Sequence, residues 1–462
     1  MVNDVEFWDS TLREGEQEQG VHFSLEEKKE IGSALFENGL AQTIELHCYT
    51  GYTSKEASEL VKEFGPDRVV LHHRSLTSDI DVSRDCGAPI AMYLGISDIH
   101  LKTMNMTRES AIEKMENDIR YAKELGMRVR KYTLEDATRA DIAFMKEAAK
   151  KIERAGAETL CIADTVGSAF PDHYKRVVEE VGEGLGIPIL AHCHNDLGLA
   201  LANCLAAYQA GVRKFNASVL GLGERCGITR TEELAMAFRK MGLSVKTEAL
   251  KDVCEIVSKL SGVRPNPHDP ISGDNAFSHK AGVHARKILE NPAAYEPYPP
   301  EAVGRSRSII LSGLSGKSNA SIKLREYGIG KVPDDVVIEL TEEIRRRAYD
   351  SRYDISDSEF EEIASKVLKI RHEDLAKRRL FPRSTEVIVF IDVKANRIAE
   401  VARNIRREIR ESNSIAEVTG EYDLLVNIRT SSISLADHYV DRMRAIEGVD
   451  KTLTSFVLKR WR

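Results

Sequence analysis

Two histidines separated by one residue are the clearest candidates for chemistry in this chain. His192 and His194 follow closely on the apolar run 187–190. If that run forms a β-strand, side chains two residues apart share a face, so both imidazoles can bind one metal ion. Short motifs of this kind also arise by chance, and two ordinary strand histidines are the alternative. A metal site therefore needs a third ligand from elsewhere in the chain.

The loop at residues 9–17 can supply that ligand, because it brings several acids and an arginine together. A divalent cation held by two neutral imidazoles still needs a carboxylate, and a catalytic site keeps a position open for substrate. We predict Glu14 as the third ligand. A 2-oxo acid that chelates the metal would have its ketone polarised, and Arg13 would stabilise the alkoxide that forms. The alternative for Glu14 and Arg13 is a surface ion pair, which contributes little to stability.

An alternation of strands and helices would position these residues. Eight short runs rich in β-forming residues separate longer amphipathic segments between residues 4 and 240, which fits the size and count of a (β/α)8 TIM barrel of the α/β class. The first run lacks the glycine-rich turn of a doubly wound sheet. Active sites of such barrels lie at the carboxyl ends of the strands. The residues capable of chemistry follow the predicted strands: Asp9, Arg13, Glu14, Glu45, His47, His72, His73, Arg74, Lys131, Thr133, Glu135, Asp164, Thr165, His192 and His194. We predict the barrel over residues 1–272.

The rest of the chain has a different texture. Prolines interrupt the stretch after residue 265, and amphipathic segments follow, the last of them predicted as helix over 357–380. We therefore predict an accessory helical region over 273–383. From 384 to 462 the pattern becomes βαββαβ, which predicts a ferredoxin-like domain.

Composition excludes several function classes. The formal net charge of −7 gives no global attraction to nucleic acid or to an anionic membrane. No run approaches the 18 apolar residues of a membrane span, and the first residues lack a signal-peptide pattern. The seven cysteines are scattered without a paired motif, which is typical of buried thiols in a reducing compartment. We expect a cytoplasmic protein that binds neither nucleic acid nor membrane.

Four motifs together carry a family resemblance. They are the segments Asp9–Gln17, His192–Gly198, Gly221–Thr229 and His279–His284. In combination they resemble the 2-isopropylmalate/homocitrate synthase family of metal-dependent barrels, the DRE-TIM metallolyases. The tail beyond residue 384 is similar to the ligand-sensing domain of Lrp-type regulators, an arrangement also found in archaeal homocitrate synthases of lysine biosynthesis.

The resemblance implies a Claisen-type condensation of acetyl-CoA with a 2-oxo acid at a divalent metal, which would be Mg, Mn, Zn or Co. It gives the metal-ligand role to the same three residues chosen above, and it places Arg13 and Gln17 around the bound 2-oxo acid. The residues that match the group for proton removal from the acetyl-CoA methyl are Glu135, His284 and Tyr295. Because His284 lies in the accessory region, the family's domain-exchanged dimer would bring it to the partner subunit's metal.

The identity of the 2-oxo acid depends on the residues that would face its far end. Homocitrate synthases carry an arginine on the fifth strand for the distal carboxylate of 2-oxoglutarate, and Lys131 takes that place, two residues before Thr133. Thr165 matches a contact near the same carboxylate. The family's histidine after the third strand aligns with Leu76, although His72 lies close enough to substitute. A lysine keeps the charge of arginine without its bidentate fork. We therefore expect 2-oxoglutarate as substrate and homocitrate as product.

Other activities remain as alternatives. Oxaloacetate giving citrate is the main competitor, followed by pyruvate giving citramalate and 2-oxoisovalerate giving isopropylmalate. A retro-aldol lyase of the same barrel type needs neither acetyl-CoA nor the accessory region. From a different class, the chain would be an amino-acid-binding regulatory protein. In the enzyme, we expect the C-terminal domain to bind an amino-acid effector such as lysine, or to support a homodimer or higher oligomer.

Overall fold

The computed structural model describes residues 5–280, 287–288, 291–377, 385–394, 397–409, 412–430 and 433–456 of the chain. The chain divides into two units. The first comprises the residues up to 276 together with 302–304, and the second comprises 277–301 and the residues from 305 onward. From the sequence we predicted three domains, over residues 1–272, 273–383 and 384–462. These domain ranges remain predictions.

Eight parallel strands close into a barrel in the first unit. Each strand pairs with the next in chain order, and the eighth pairs with the first, with Trp8 opposite Asn216. The strands are β1 (Glu6–Asp9), β2 (Thr43–His47), β3 (Val69–Arg74), β4 (Ile90–Gly95), β5 (Val129–Glu135), β6 (Leu160–Asp164), β7 (Ile189–Cys193) and β8 (Lys214–Ala217). The TIM barrel predicted from the alternation of strands and helices is confirmed.

Helices follow or separate the strands, and local sequence determines where several begin. Ser24 accepts a hydrogen bond from the backbone N–H of Glu27, whose carboxylate accepts one from the backbone N–H of Ser24, so a capping box starts the first helix. The helices of this unit are α1 (Leu25–Glu37), α2 (Gly51–Phe64), α3 (Thr77–Ser83), α4 (Asp98–Thr103), α5 (Arg108–Glu124), α6 (Ile142–Ala155), α7 (Pro171–Gly182), α8 (Ala200–Gln209), α9 (Thr231–Lys240) and α10 (Leu250–Ser261). No helix in the described part of the chain is long and apolar enough to cross a membrane.

The barrel has a packed interior. A buried cluster takes one residue from each of five strands: Trp8, Val70, Ala91, Cys161 and Leu190. Val70 and Leu190 lie two residues before His72 and His192, so their side chains point to the same face of each strand. The apolar cluster therefore forms the floor on which polar side chains at the strand ends are held.

The second unit begins with irregular chain and continues with helices. Ser278–His279 (β9) pairs in parallel with Ser308–Ile309 (β10), a short contact that the sequence did not predict. The helices are α11 (Lys317–Glu326), α12 (Asp334–Ser351), α13 (Asp357–Leu368) and α14 (His372–Lys377). Helix was predicted over 357–380. The structure interrupts it, because Lys369 adopts a φ of 54° and ends α13 before α14 begins at His372. Residues 378–380 lie outside the described residues.

The C-terminal part of this unit is an antiparallel sheet with two helices. The sheet consists of β11 (Thr385–Val393), β12 (Ser412–Glu417), β13 (Leu424–Thr430) and β14 (Val449–Phe456), in the order β12-β13-β11-β14. The helices are α15 (Ile398–Glu408) and α16 (Ile433–Ala445). Alternate residues such as Val387, Val389 and Ile391 are buried in one cluster with Val401 of α15, as expected for a sheet with one covered face. The predicted ferredoxin-like βαββαβ domain is confirmed.

Candidate metal centre

One cavity of about 560 Å³ is lined by residues from the carboxyl ends of the barrel strands. Ten residues predicted from the sequence contribute to its lining: Arg13, Glu14, Gln17, His72, Lys131, Thr133, Glu135, Thr165, His192 and His194. Convergent polar groups in a concave site at this end of the barrel are typical of an active site. The fold therefore brings the barrel part of the predicted site together.

Glu14, His192 and His194 place one carboxylate and two imidazoles next to each other. Their ligand atoms lie within 4.8 Å of one another, and all three residues are buried. His192 is in β7 and His194 directly follows it, so the spacing of two puts both rings on one side, with centroids 5.1 Å apart. Glu14 comes from the loop after β1, and its Oε1 lies 3.8 Å from Nε2 of His194.

This donor set fits a divalent cation. Oε1 of Glu14 and Nδ1 of His194 are buried and have no hydrogen-bond partner among the described residues. Nδ1 of His192 lies 3.3 Å from the amide oxygen of Asn216, which leaves Nε2 to face a metal, as in sites whose histidines are oriented by a second group. Three protein ligands beside a cavity are typical of a catalytic rather than a structural metal site.

Burial and nearby charges give the three residues the protonation states that a metal requires. Burial acts to raise the pKa of Glu14, but Arg13 and the two histidines outweigh it and lower this pKa to about 2. Burial, assisted by His194, lowers the pKa of His192 to about 3. Burial also lowers the pKa of His194. An ionised carboxylate and neutral imidazoles are the forms that bind metal.

The glycine-rich loop 221–227 packs against the carboxylate ligand. A Cβ at Gly223 would lie 2.9 Å from Cγ of Glu14, and a Cβ at Gly227 would collide with the carbonyl oxygen of Gly221. Gly227 also has a φ of 71°, which other residues rarely adopt. Glycine is thus required where this loop approaches Glu14.

A buried carboxylate on β2 holds two cations beside the metal ligands. Arg13 donates through Nη1 to Glu14 and through Nη2 to Oε2 of Glu45, the latter at 3.0 Å. Lys131 on β5 donates to Oε1 of Glu45. Burial acts to raise the pKa of Glu45, but Lys131 and Arg13 outweigh it and hold this pKa well below its ordinary value. The predicted contact between Lys131 and a distal carboxylate stays a prediction.

The other predicted substrate contacts lie on different strands around the cavity. Nε2 of His72 on β3 is buried and has no hydrogen-bond partner within the described chain. Thr133 is buried on β5, whereas Gln17 is exposed. Thr165, just after β6, accepts a hydrogen bond from the backbone N–H of Asp136 at 2.8 Å, so part of its hydrogen-bonding capacity serves the barrel itself.

Of the three residues predicted for proton removal, only Glu135 is seen at the cavity. Glu135 lines the cavity, and its Oε2 lies 3.7 Å from Nδ1 of His100. Burial raises the pKa of Glu135 and outweighs the opposing effect of His100, which makes the carboxylate a stronger base. His284 lies outside the described residues. Tyr295 belongs to the second unit, where Nζ of Lys287 lies 5.7 Å from the centre of its ring.

Two residues of the centre had no role in the sequence-based prediction. Glu45 was recognised as capable of chemistry but not as the shared partner of two cations, and Asn216 was not recognised at all. A single acid inside an apolar strand is a signal for a buried partner, so Glu45 could have been found. The contact of Asn216 with His192 depends on the side-by-side packing of β7 and β8 in the barrel, for which the sequence has no local signal.

Comparison with protein families assigns the three parts of the chain. Residues 4–259 match the model described as HMGL-like, and residues 271–371 match the model described as homocitrate synthase post-HMGL domain-like. Residues 386–462 match the Lrp/AsnC ligand binding domain. The three matches follow one another in the order predicted from the sequence.

Curated relatives match over nearly the whole chain. A homocitrate synthase of Saccharolobus islandicus (strain M.14.25 / Kamchatka #1) is 34% identical over 466 residues, covering 98% of this chain and 98% of its own. A homocitrate synthase of Sulfolobus acidocaldarius is 34% identical over 465 residues, covering 98% of this chain and 97% of its own.

Solved structures support the barrel fold. The HMG-CoA lyase from Brucella melitensis is 18% identical with a TM-score of 0.50, covering 56% of this chain and 99% of its own. The hydroxymethylglutaryl-CoA lyase from Pseudomonas aeruginosa is 17% identical with a TM-score of 0.50, covering 56% and 94%. At this level of identity the likeness concerns the fold alone.

Proposed function

The chain belongs to the HMGL-like family, among its homocitrate synthases, and from this membership we propose that it condenses acetyl-CoA with 2-oxoglutarate to give homocitrate and CoA. The family makes it an acetyl-CoA-dependent condensing enzyme that acts on a 2-oxo acid, which is an acyltransferase. The choice of 2-oxoglutarate is supported by one observation above all: the relatives named homocitrate synthase match over 98% of this chain and over 97–98% of their own length.

In the proposed reaction a new carbon–carbon bond forms between the acetyl methyl and the ketone carbon of 2-oxoglutarate. A base takes one methyl proton, the carbanion attacks the ketone, and the ketone oxygen takes up the electron pair and then a proton. Water then cleaves the thioester, which releases CoA as the thiol and leaves homocitrate. Atoms and charges balance without an oxidant or reductant.

Glu14, His192 and His194 would hold a divalent metal, which when bound polarises the ketone of the 2-oxo acid. Arg13 lies beside Glu14 and is fixed there by Glu45. A guanidinium held in place before the reaction stabilises negative charge on the ketone oxygen without reorganisation. Arg13 is therefore assigned to the developing alkoxide.

Glu135 is the proposed base from the barrel. Its pKa is raised chiefly by burial, and it lines the same cavity as Arg13. His284 and Tyr295 are proposed partners in proton removal, with His284 supplied by the other subunit of a homodimer. Gln17, Thr133 and Thr165 are proposed to contact the 2-oxo acid, together with His72 and Lys131.

The Lrp-like part supports a second, regulatory proposal. Residues 386–462 match a ligand-binding domain, and the proposed product belongs to lysine biosynthesis. We infer an amino-acid effector, with lysine as the first candidate.

A panel of 2-oxo acids tests the proposed reaction. The metal-loaded full chain is mixed with acetyl-CoA and with 2-oxoglutarate, oxaloacetate, pyruvate or 2-oxoisovalerate, and release of the CoA thiol is followed. We expect the highest kcat/KM with 2-oxoglutarate and only background release without a 2-oxo acid. Equal or faster release with another acid would overturn the substrate assignment, and release that needs no 2-oxo acid would overturn the condensation.

A further inference from the structure

Two cysteines of the barrel unit are in contact although they lie far apart in the sequence. Cys48 directly follows the end of β2, and Cys86 ends a single turn of 3-10 helix, Arg84–Cys86, that comes after α3. Both are free thiols, and their sulfur atoms lie 3.8 Å apart. A disulfide joins two sulfurs at about 2 Å, and a change of side-chain rotamer is sufficient to close the remaining gap.

The surroundings of Cys86 suit a reactive thiol. Its Sγ lies 3.3 Å from the hydroxyl oxygen of Ser54 on α2, which can donate to a thiolate, and the thiol form can donate to the carbonyl oxygen of Ser54 at 3.5 Å. The hydrogen bond with Cys48, together with those from Ser54 and Ser58, outweighs burial and lowers the pKa of Cys86. The thiolate is the nucleophilic form of cysteine, so this environment favours attack by Cys86.

The surroundings of Cys48 differ from those of Cys86. Cys48 is fully buried, and its contact with Cys86, assisted by burial, raises its pKa. Cys86 is 5% exposed and lies between Asp85 and Gly87, which are both exposed. An oxidant from solvent therefore reaches Cys86 first. Cys48 is then the neighbouring thiol that can convert an oxidised Cys86 into a disulfide.

We propose that Cys48 and Cys86 form a reversible disulfide when a hydroperoxide reaches the protein, and that this bond slows the enzyme. The thiolate of Cys86 attacks one oxygen of the peroxide, which breaks the O–O bond and leaves a sulfenic acid on Cys86. The sulfur of Cys48 then attacks that of Cys86, and water leaves with the proton of Cys48. The sulfurs are oxidised and the peroxide is reduced, so that two thiols and one hydrogen peroxide give one disulfide and two water molecules. An added dithiol reverses the modification by exchange.

The disulfide would act on the cavity through the two residues next to Cys48. His47 and Tyr49 both line the cavity. The carbonyl oxygen of Cys48 accepts a hydrogen bond from the hydroxyl of Ser83 at 3.3 Å, so this segment is packed against α3. A displacement of Cys48 therefore changes the position of the two cavity residues. This effect on the rate rests on the proposed condensation, whereas formation of the disulfide does not.

Mass spectrometry of the full chain tests the modification. The reduced protein is treated with a small excess of hydrogen peroxide in the presence of Mg²⁺, and its remaining thiols are alkylated under denaturing conditions. Before alkylation we expect a loss of about 2 Da, the mass of two hydrogen atoms, and after digestion a linked pair of peptides that contain Cys48 and Cys86. Cys48→Ala and Cys86→Ala should give no such pair. Cys254→Ala removes another buried thiol and should give the linked pair in the same yield as the wild type.

Other patterns of oxidation would overturn the proposal. If Cys48 and Cys86 are alkylated as completely after peroxide treatment as before it, they are not a site of oxidation. If Cys86 is converted to sulfinic acid without linked peptides, Cys48 does not react with the sulfenic acid. Linked peptides that contain the exposed Cys226 in place of Cys86 would assign the reaction to a different thiol.

Initial rates of homocitrate formation test the effect on the cavity. We expect the oxidised wild type to be about tenfold slower than the reduced protein, since small displacements in an active site cause losses of this kind, and we expect dithiothreitol to restore the rate. Cys86→Ala should keep the rate of the reduced wild type before and after peroxide. Thermal unfolding is recorded for all variants, and Cys86→Ser replaces Cys86→Ala if the latter does not fold.

The two parts of the experiment fail separately. A disulfide that forms without changing the rate would overturn the proposed effect on the cavity. An equal loss of rate in Cys86→Ala after peroxide would assign that loss to another residue and overturn the same effect. If the reduced wild type condenses acetyl-CoA with no 2-oxo acid, the proposed function fails, while the linked peptides still decide whether the disulfide forms.

Discussion

Two neighbouring groups of buried polar residues in the barrel differ in how their atoms are hydrogen-bonded. Around Glu14 and His194, buried atoms have no hydrogen-bond partner within the described chain. Glu45 is fully buried beside this cavity, and its carboxylate accepts hydrogen bonds from Arg13, Lys131 and the hydroxyl of Ser10. Unpartnered buried atoms cost free energy unless an ion or a ligand binds to them, whereas the second group is hydrogen-bonded within the protein itself.

This difference distinguishes residues that can bind a ligand from residues that hold them in place. In this cavity the unpartnered buried atoms of Glu14 and His194 are the candidates to bind an ion, and the hydrogen-bonded groups around Glu45 hold Arg13 beside them. Arg13 belongs to both sets, because it contacts Glu14 on one side and Glu45 on the other. We therefore expect a change at Glu45 to reach Glu14 through Arg13.

Removal of a metal ligand is expected to have the largest effect. Glu14→Ala should lower kcat by about 10⁴-fold, since the metal's contribution to the barrier is several kcal/mol, and metal content after dialysis should fall together with activity. His268→Ala is the control, because this histidine is exposed and lies outside the cavity lining. A Glu14→Ala protein with full activity would refute the metal site.

Loss of the proposed base should have the next largest effect. Glu135→Gln should lower kcat by about 10²-fold, the lower range for a general base, with metal content unchanged. Since the reactive form is the ionised carboxylate and its pKa is raised, the rate of the wild type should increase with pH through a value above that of an ordinary glutamate. If Glu135→Gln keeps this acid limb of the pH profile, another group is the base.

Removal of the Asn216 side chain, which contacts His192, should have a smaller effect on activity. Asn216→Leu removes the amide oxygen 3.3 Å from Nδ1 of His192, and loss of such a support typically weakens metal affinity by about 10- to 100-fold. The rate at saturating metal should recover in part. Activity measured against metal concentration gives both quantities, and an unchanged half-saturation would mean that Asn216 does not orient the ligand.

The smallest effect on basal activity is expected from the C-terminal domain. A chain ending at residue 383 should keep the condensation rate and lose inhibition by lysine, because the described residues that line the barrel cavity lie between Arg13 and Glu224. Initial rates with and without lysine, together with the molar mass in solution, check this. Unchanged inhibition and unchanged assembly would contradict both roles proposed for the domain.

Local pattern was sufficient for much of the fold and for part of the site. The eight strands and the placement of His192 and His194 on one face follow from a period of two residues, which neighbouring residues determine. The contact of Glu45 with Lys131 joins residues 86 positions apart on strands that are not neighbours in the barrel. No local period encodes such a contact, so the sequence did not predict that Glu45 is a partner of Lys131.

Element ends were also harder to predict than element types. Within the βαββαβ pattern predicted over 384–462, the third strand begins at Leu424, after a turn that contains Gly420 at a φ of 138°. The helix predicted over 357–380 ends early at Lys369 for a similar reason, since one left-handed residue stops the hydrogen-bond pattern.

Identification of the reaction product tests the central claim most directly. Acetyl-CoA labelled with ¹³C in the methyl group is incubated with 2-oxoglutarate and the metal-loaded full chain, and the products are separated and analysed by mass spectrometry. We predict labelled homocitrate and free CoA in equal amounts, abolished by a chelator and restored by a divalent metal. Labelled acetate without homocitrate, or a product that forms equally well in the presence of the chelator, would contradict the account.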